Sequence, residues 1–580
     1  MKPLTTRTAL VCAMYAGMSV LTCAPLFAHP NGVGHFDWDQ HLFYYASVLK
    51  SVIEFGQWPF WNPWYCGGNV LWQNPQVALL SPAYPLALIV SLPLAMKVNV
   101  VLHYWVGFVG MHLLLRRVAG VRFLPLVVYL SSVFVVCGAL ALHIAQGHST
   151  FLPAFYLPIL VFWLCGAMSD GAMRNGLSAA AALALMMING GFHMVPTAII
   201  GIGTLAVAAA AMRRCWRPIL VALVCGVAGV AYAAPKLVPV AAYLDSGRFQ
   251  DDRAMGLLDS ITPEMVVHAY VDPSLTRNSK FQDQLYGWHE YGNYIGLPAA
   301  SLIVTAITWV FLGGGATRRW LGVSLALTSA VFFVLSLGEF SAFAPAAVVR
   351  AIPLLSRYRL PSRYTIGFVL FGTTVVGWAS RELSWDVVST RRARILVASA
   401  CLLASFDLVW RNGSLFYGIF DQRSLDSGFR VLGRPDAPVT DTTIDAYKQD
   451  APMLRALMAN RSTFNCYEPL KLKPIAEPGK PLVFGDAGVQ ITGTVFTPNR
   501  IDVDVVSGPE ALRLFVNQSY APGWRSTLGS VAADSQYGNI SVSVPPGAVG
   551  RYSIVFSPEG LASGFFIFAL GIAASVRWSR

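Results

Sequence analysis

The chain has 580 residues, of which 55% are hydrophobic and 12% charged, and its mean hydropathy is +0.53. Soluble domains carry about 25% charged residues, so this composition excludes an ordinary soluble globule and indicates a polytopic α-helical membrane protein. The formal charge of +12 does not point to nucleic acid, because Arg and Lys gather in short gaps between apolar runs, the pattern of cytoplasmic loops.

Lys2 and Arg7 precede the first apolar run, residues 8–27, and place the loop beyond it outside. The run is close to the roughly 20 residues of a membrane crossing. Leu26 stands where a signal-peptide cleavage site wants a small side chain. An uncleaved helix is therefore the reading, and a signal peptide its rival. The next apolar stretch, 77–96, is interrupted by Pro82, Pro85 and Pro93 and reads as an interfacial or re-entrant segment, which keeps Arg116 and Arg117 inside. Spans are then expected at 98–115, 123–142, 151–168, 177–188, 195–212, 218–238, 294–312, 320–337, 364–380, 395–410 and 561–576. The total is about twelve, with both termini inside; 177–188 is short for a full crossing and ends at Asn189-Gly190-Gly191.

The expected organisation is a transmembrane domain over 1–410, with external loops at 29–97 and 243–293. An external domain over 411–558 comes next, then a last transmembrane helix over 559–580. From about residue 488 the apolar period becomes two: Ile501, Val503, Val505; Leu512, Leu514, Val516; Ile540, Val542, Val544; Tyr552, Ile554, Phe556. Turn signals such as Pro498-Asn499 and Pro545-Pro546-Gly547 separate these runs, so a small β-sandwich-like domain is predicted. The fold of 411–486 stays open. Of nine cysteines, only Cys66 and Cys466 are placed in external segments, the others lying within or beside spans; an oxidising compartment would allow a bridge between them, which the sequence leaves open.

The candidate site lies in the first external loop. Asp37 and Asp39, flanked by His35 and His41, sit at the mouth of a span within a loop rich in Trp, Tyr and Pro that includes Trp61 and Asn62. Acidic groups at a membrane boundary are costly to desolvate and mark chemistry more often than packing. Other outward-facing polar residues are His143, Gln146, His148, His193, Asp272, Asp283, Trp288, His289, Glu290 and Tyr291. Arg350, Arg357, Arg359 and Arg363 run against the positive-inside trend. Guanidinium forks match phosphate oxygens, and a carboxylate can take a proton from an acceptor hydroxyl. Together these suit inverting sugar transfer from a phospholipid donor. A divalent ion, magnesium or manganese, held at Asp39 and His41 would share the charge. Plainer readings stand beside these. The arginines would bind anionic lipid head groups, one of the two aspartates would be an N-cap, the histidines would be loop hydrogen-bonders, and the aromatics an interfacial belt.

Eight stretches stand in order: Asp37-Trp-Asp-Gln-His-Leu-Phe-Tyr-Tyr, Gly56-Gln-Trp-Pro-Phe-Trp-Asn-Pro, Asn74-Pro75-Gln76 and Ser81-Pro-Ala-Tyr-Pro85, followed by Pro235-Lys-Leu-Val-Pro239, Glu290-Tyr-Gly-Asn-Tyr-Ile-Gly296, Arg357-Tyr-Arg-Leu-Pro-Ser-Arg363 and Asn517-Gln-Ser-Tyr-Ala-Pro-Gly-Trp524. In that order they resemble the YfhO-type bacterial membrane proteins of the GT-C glycosyltransferase superfamily. The resemblance covers nearly the whole chain. It implies a GT-C-like enzyme with a catalytic Asp in the first external loop, using polyprenyl-phosphate sugars, on the outer face of the cytoplasmic membrane. The acceptor would be an envelope glycan, lipid or glycoprotein. That role maps onto Asp39, with Asp37 assisting. Arg357, Arg359 and Arg363 are assigned to the donor phosphate, and Trp61, Asn62, His148, Trp288, His289 and Glu290 to the sugar or acceptor pocket. The rival class is a non-enzymatic flippase, transporter or assembly scaffold. The polar groups gather on one face with no repeated broken helix, which favours surface chemistry over alternating access.

Overall fold

The structure is a computed structural model. It describes residues 6–246, 261–274, 276, 279–280, 284, 286–313, 319–341, 343–352, 355, 358, 360–382, 390–421, 437–444, 451–466, 480–535 and 538–579. Arg357, Arg359 and Asp283 lie outside these residues.

Among the described residues, eight helices are long and apolar enough to cross a membrane: Thr8–Phe27, Leu92–Ala119, Ser149–Asp170, Val195–Arg213, Arg217–Asp245, Trp288–Leu312, Arg391–Ser414 and Leu561–Trp578. A ninth is added if Leu124–Val135 and Gly138–Gln146, bent by 41°, are one broken span. Met173–Ile188 and Trp320–Ser336 are shorter apolar helices. Thr365–Glu382 is helical too. Every stretch read as a span is thus helical, while eight or nine meet the length and hydropathy of a crossing. The second helix starts earlier than the apolar pattern suggested. Ser91 caps it by accepting from the Leu94 N–H, and Pro93 fits its first turn, where no N–H partner is needed. The stretch before it holds only a five-residue helix, Ala83–Ala87, with Leu88 and Ile89 exposed.

Small residues let helices approach. Leu561–Ser579 packs along Arg217–Asp245, where a Cβ on Gly564 would lie 2.6 Å from the Ala234 carbonyl oxygen and one on Gly571 2.8 Å from the Ala231 side chain. The Tyr232 and Ser575 hydroxyls join the same pair. The first helix is held by stacking of Tyr15 on Phe108, centroids 5.2 Å apart, and by the Trp105 indole N–H on the Cys12 carbonyl.

Beyond the helices, the loop strands β1 (Trp61–Asn62) and β2 (Asn69–Val70) pair antiparallel. Strands β3 (Val439–Thr442) and β4 (Arg461–Thr463) pair in parallel around the short helix Pro452–Met458. The remaining strands are β5 (Val483–Gly485), β6 (Val489–Thr497), β7 (Arg500–Ser507), β8 (Leu512–Ser519), β9 (Trp524–Ser526), β10 (Val531–Ala533), β11 (Asn539–Val544) and β12 (Val549–Phe556). They form two four-stranded antiparallel sheets, ordered β10-β11-β8-β5 and β6-β7-β12-β9. Ile501, Val503, Val505, Leu514, Val516, Ile540, Val542, Val544, Ile554 and Phe556 are buried in one apolar cluster, the faces their alternation marked.

That cluster also contains Trp61 and Val70 from the first loop. The Trp61 ring meets Trp524 and Phe556 at 5.1 and 4.8 Å, and its indole N–H donates to Gln518 Oε1 at 2.7 Å. Cys66 is disulfide-bonded to Cys466, with Cα atoms 5.0 Å apart. The loop after the first helix and the C-terminal sheets therefore fold as one body. Replacing Cys66 with Ser should cost about 3 kcal/mol and speed proteolysis within 411–480. Thermal unfolding and limited proteolysis of the wild type with and without reductant check this; no difference would assign the docking to Trp61 and its neighbours.

Candidate functional site

The helix Asp37–Ile53 begins abruptly after Phe36, whose φ of 53° is strained for a residue with a Cβ. Both aspartates sit in its first turn, where the helix dipole favours negative charge. Two residues apart on a helix, they face different ways, and their fates differ.

Asp39 is buried and bonded to backbone: Oδ2 accepts from the Met453 N–H at 2.9 Å and Oδ1 from the Leu454 N–H at 3.0 Å. Those amides open the helix Pro452–Met458, whose own N-cap, Ala451, has no side chain to offer. Asp39 thus caps a helix of the C-terminal domain rather than its own. Burial pushes its carboxyl up to about 6 against the pull of the two amides and Arg455. His41 is also buried; burial lowers it to about 4, with Asp37 opposing and His148 assisting.

Asp37 turns the other way. Its Oδ2 lies 3.1 Å from His148 Nε2. Gly147 makes this approach possible: its φ is +100°, and a Cβ there would lie 2.2 Å from the Trp38 nitrogen. The Trp38 indole N–H donates to the Ile144 carbonyl at 2.9 Å and locks the two segments together. His148 Nδ1 lies 2.8 Å from His143 Nδ1, and His143 Nε2 lies 3.8 Å from Glu290 Oε2. Glu290 reaches this place because its segment docks on the break in the bent helix pair. Gly138 N–H donates to the Tyr294 carbonyl, and Asn293 Oδ1 accepts from the Ala139 N–H.

Arg363 then clasps Glu290 bidentately, Nε to Oε2 at 2.8 Å and Nη2 to Oε1 at 2.6 Å. Its Nη1 lies 2.9 Å from His193 Nδ1. Phe151 is the floor of the cluster, stacked on His143 at 3.6 Å and on His193 at 5.5 Å, with the Arg363 guanidinium 5.2 Å from its centroid. The result is a polar chain, Asp37–His148–His143–Glu290–Arg363–His193, assembled from five separate segments at helix ends.

Of the residues read as site candidates, Asp37, His148, Glu290 and Arg363 meet here, and the His289 ring stands 6.0 Å from His148. Trp288 is buried near Tyr291. Trp61 belongs to the sheet core. Asn62 is buried in its own loop, donating to Ser47 and accepting from the Trp64 N–H. Arg350 pairs with Glu339. His143 and His193 were visible only as polar residues near turns. Phe151 carried no signal, since an aromatic in an apolar run reads as packing. Among the described residues, the group whose His, Cys and carboxylate atoms converge closely enough for a metal is His143, His148 and Glu290, within 4.8 Å of one another.

No family model matches the chain, and no curated protein matches its sequence. Among solved structures, it is similar to the arabinofuranosyltransferase AftD from mycobacteria, with a TM-score of 0.41 and 15% identity over 72% of this chain. The match spans 27% of that protein's length.

Two outcomes are expected for the buried acids. Removing one partner of the Glu290–Arg363 pair strands a buried charge, so Glu290→Gln or Arg363→Met alone should destabilise by about 3–5 kcal/mol. The double variant should recover part of that loss in thermal unfolding. For Asp39, the folded-state pKa of about 6 exceeds the ordinary 3.8. The folded state therefore holds a proton that the unfolded state has lost, and the Asp39 contribution falls as pH rises from about 4 to about 6, then levels. Unfolding curves of wild type and Asp39→Asn across pH 4–7.5 should differ by that slope. Parallel curves would mean that the carboxyl titrates normally.

Proposed function

We propose that the chain is an inverting glycosyltransferase that moves a sugar from a polyprenyl-phosphate donor to an envelope glycan, lipid or glycoprotein on the outer face of the cytoplasmic membrane. The observation carrying this reading is the chain of polar contacts from Asp37 to Arg363 at the ends of apolar helices, the depth at which a lipid head group would lie. The resemblance of its ordered motifs to those of YfhO-type GT-C proteins also supports it.

Asp37 is the better base. Its side chain is 19% exposed and tied to His148, whereas both Asp39 oxygens hold backbone amides. In the proposed step, Asp37 takes the acceptor hydroxyl proton as that oxygen attacks the anomeric carbon. The bond to the phosphate oxygen breaks, the phosphate leaves with the electron pair, and a single displacement inverts the centre. Arg357 and Arg359 are assigned to the leaving phosphate. Arg363, already forked to Glu290, holds the wall of the site.

The test is mass-spectrometric profiling of envelope glycans and lipids in a strain lacking the gene, complemented with wild type, Asp37→Asn or Asp39→Asn at equal membrane levels. Asp37→Asn should lower transfer by about 10²–10⁴-fold, and Asp39→Asn only in proportion to lost folded protein. A full profile from Asp37→Asn removes the base assignment. If a lipid-linked sugar is translocated in liposomes by both variants and no sugar is transferred, the flippase reading replaces the transferase.

A further inference from the structure

With both rings neutral, the contacts among His148, His143 and Glu290 do not close by themselves. His148 Nε2, 3.1 Å from the Asp37 carboxylate, must carry the proton it donates, so its Nδ1 presents a lone pair. His143 Nδ1 stands 2.8 Å away. If His143 holds its proton there, its Nε2 turns a lone pair toward Glu290 Oε2 at 3.8 Å. If it holds the proton on Nε2, two lone pairs meet at 2.8 Å. In either tautomer an electron-rich nitrogen faces an electron-rich atom within a pocket where His143 and Glu290 are 1% and 5% exposed. Such contacts are costly in a low-dielectric setting, and either an extra proton on a ring or a metal ion shared by the three groups removes the cost.

We propose that His143, His148 and Glu290 form a binding site for a divalent ion of the zinc class, with Asp37 as the outer partner that orients His148. Two imidazoles and one carboxylate are a zinc-type ligand set that leaves a position open for a phosphate oxygen or water. Magnesium and calcium require oxygen ligands instead. Bond lengths of about 2.0–2.2 Å place two ligand atoms of a tetrahedral ion about 3.4 Å apart. One ligand atom from each of His143, His148 and Glu290 lies within 4.8 Å of the others, and side-chain shifts of about 1 Å bring that spread to the spacing of a shared ion.

Arg363 does not block the carboxylate. Each carboxylate oxygen has two acceptor sites, and the fork uses one on each. The Phe151 ring stacked on His143 and the Asp37 contact to His148 hold the ligands in place before the ion arrives. This is a different site from the Asp39 and His41 pair read from the sequence. It needs neither donor nor acceptor, so its outcome does not depend on the transfer reading.

The test uses the whole chain in detergent, stripped with a chelator and dialysed against zinc alone, with retained metal counted by mass spectrometry. The wild type should hold close to one equivalent. His143→Gln and Glu290→Gln should bind at least 100-fold more weakly, and Asp37→Asn about 10–100-fold more weakly. Magnesium at the same concentration should not displace the zinc. Retention no greater than the buffer blank, equal retention by His143→Gln and Glu290→Gln, or displacement by magnesium each overturns the proposal. Should the variants fail to fold, cobalt(II) in the wild type decides. Imidazole-nitrogen modulation in its pulsed paramagnetic resonance supports the site, and its absence refutes it.

Discussion

The first turn of the helix Asp37–Ile53 is the constraint on which the remainder turns. Its two carboxylates diverge because positions two apart on a helix cannot face one way. Asp39 goes into the C-terminal domain and satisfies the amides of Met453 and Leu454. Asp37 goes into the helical bundle and meets His148. A single turn of backbone therefore ties the helix Pro452–Met458 to the polar chain.

Around this turn, the polar interior is made bearable by close-range satisfaction. Glu290 and Arg363 would each be expensive alone, but their fork leaves the pair compact and set against an aromatic face. Lys97 is handled differently. Its ammonium donates to the carbonyls of His29, Pro30 and Gly32 and ties the loop preceding Asp37 to a helix. Lys236 does the same for Trp72 and Asn74. Two buried lysines thus hold loop backbone through its carbonyls.

The helices were readable because hydropathy over about 20 residues needs no partner to interpret. The sheet residues from Ile501 to Phe556 were readable because alternation is a local signal. Asp37, His148, Glu290 and Arg363 could be named, since charge near a membrane boundary is itself informative. What stayed hidden was who meets whom. The role of Asp39 depends on amides 414 and 415 positions away, and nothing near it in sequence distinguishes it from Asp37. Phe151 looks like any apolar residue until the polar groups around it are seen. Trp61 and Asn62 carried the right chemistry for a sugar pocket, but their surroundings are loop and sheet core.

The bridge from Cys66 to Cys466 spans 400 residues, which gives the molecule a biosynthetic timetable. At about 5–20 residues per second of synthesis, the thiol of Cys66 waits about 20–80 s before its partner exists. Asp39 waits slightly longer for its amides, 414 and 415 positions on. For that interval the loop that carries Asp37 lacks its contacts to the C-terminal part, and its aromatic residues are open to whatever lies nearby. The newborn chain is therefore most exposed to mispairing and chaperone capture in its early helical part, until a late-made segment returns to close an early one.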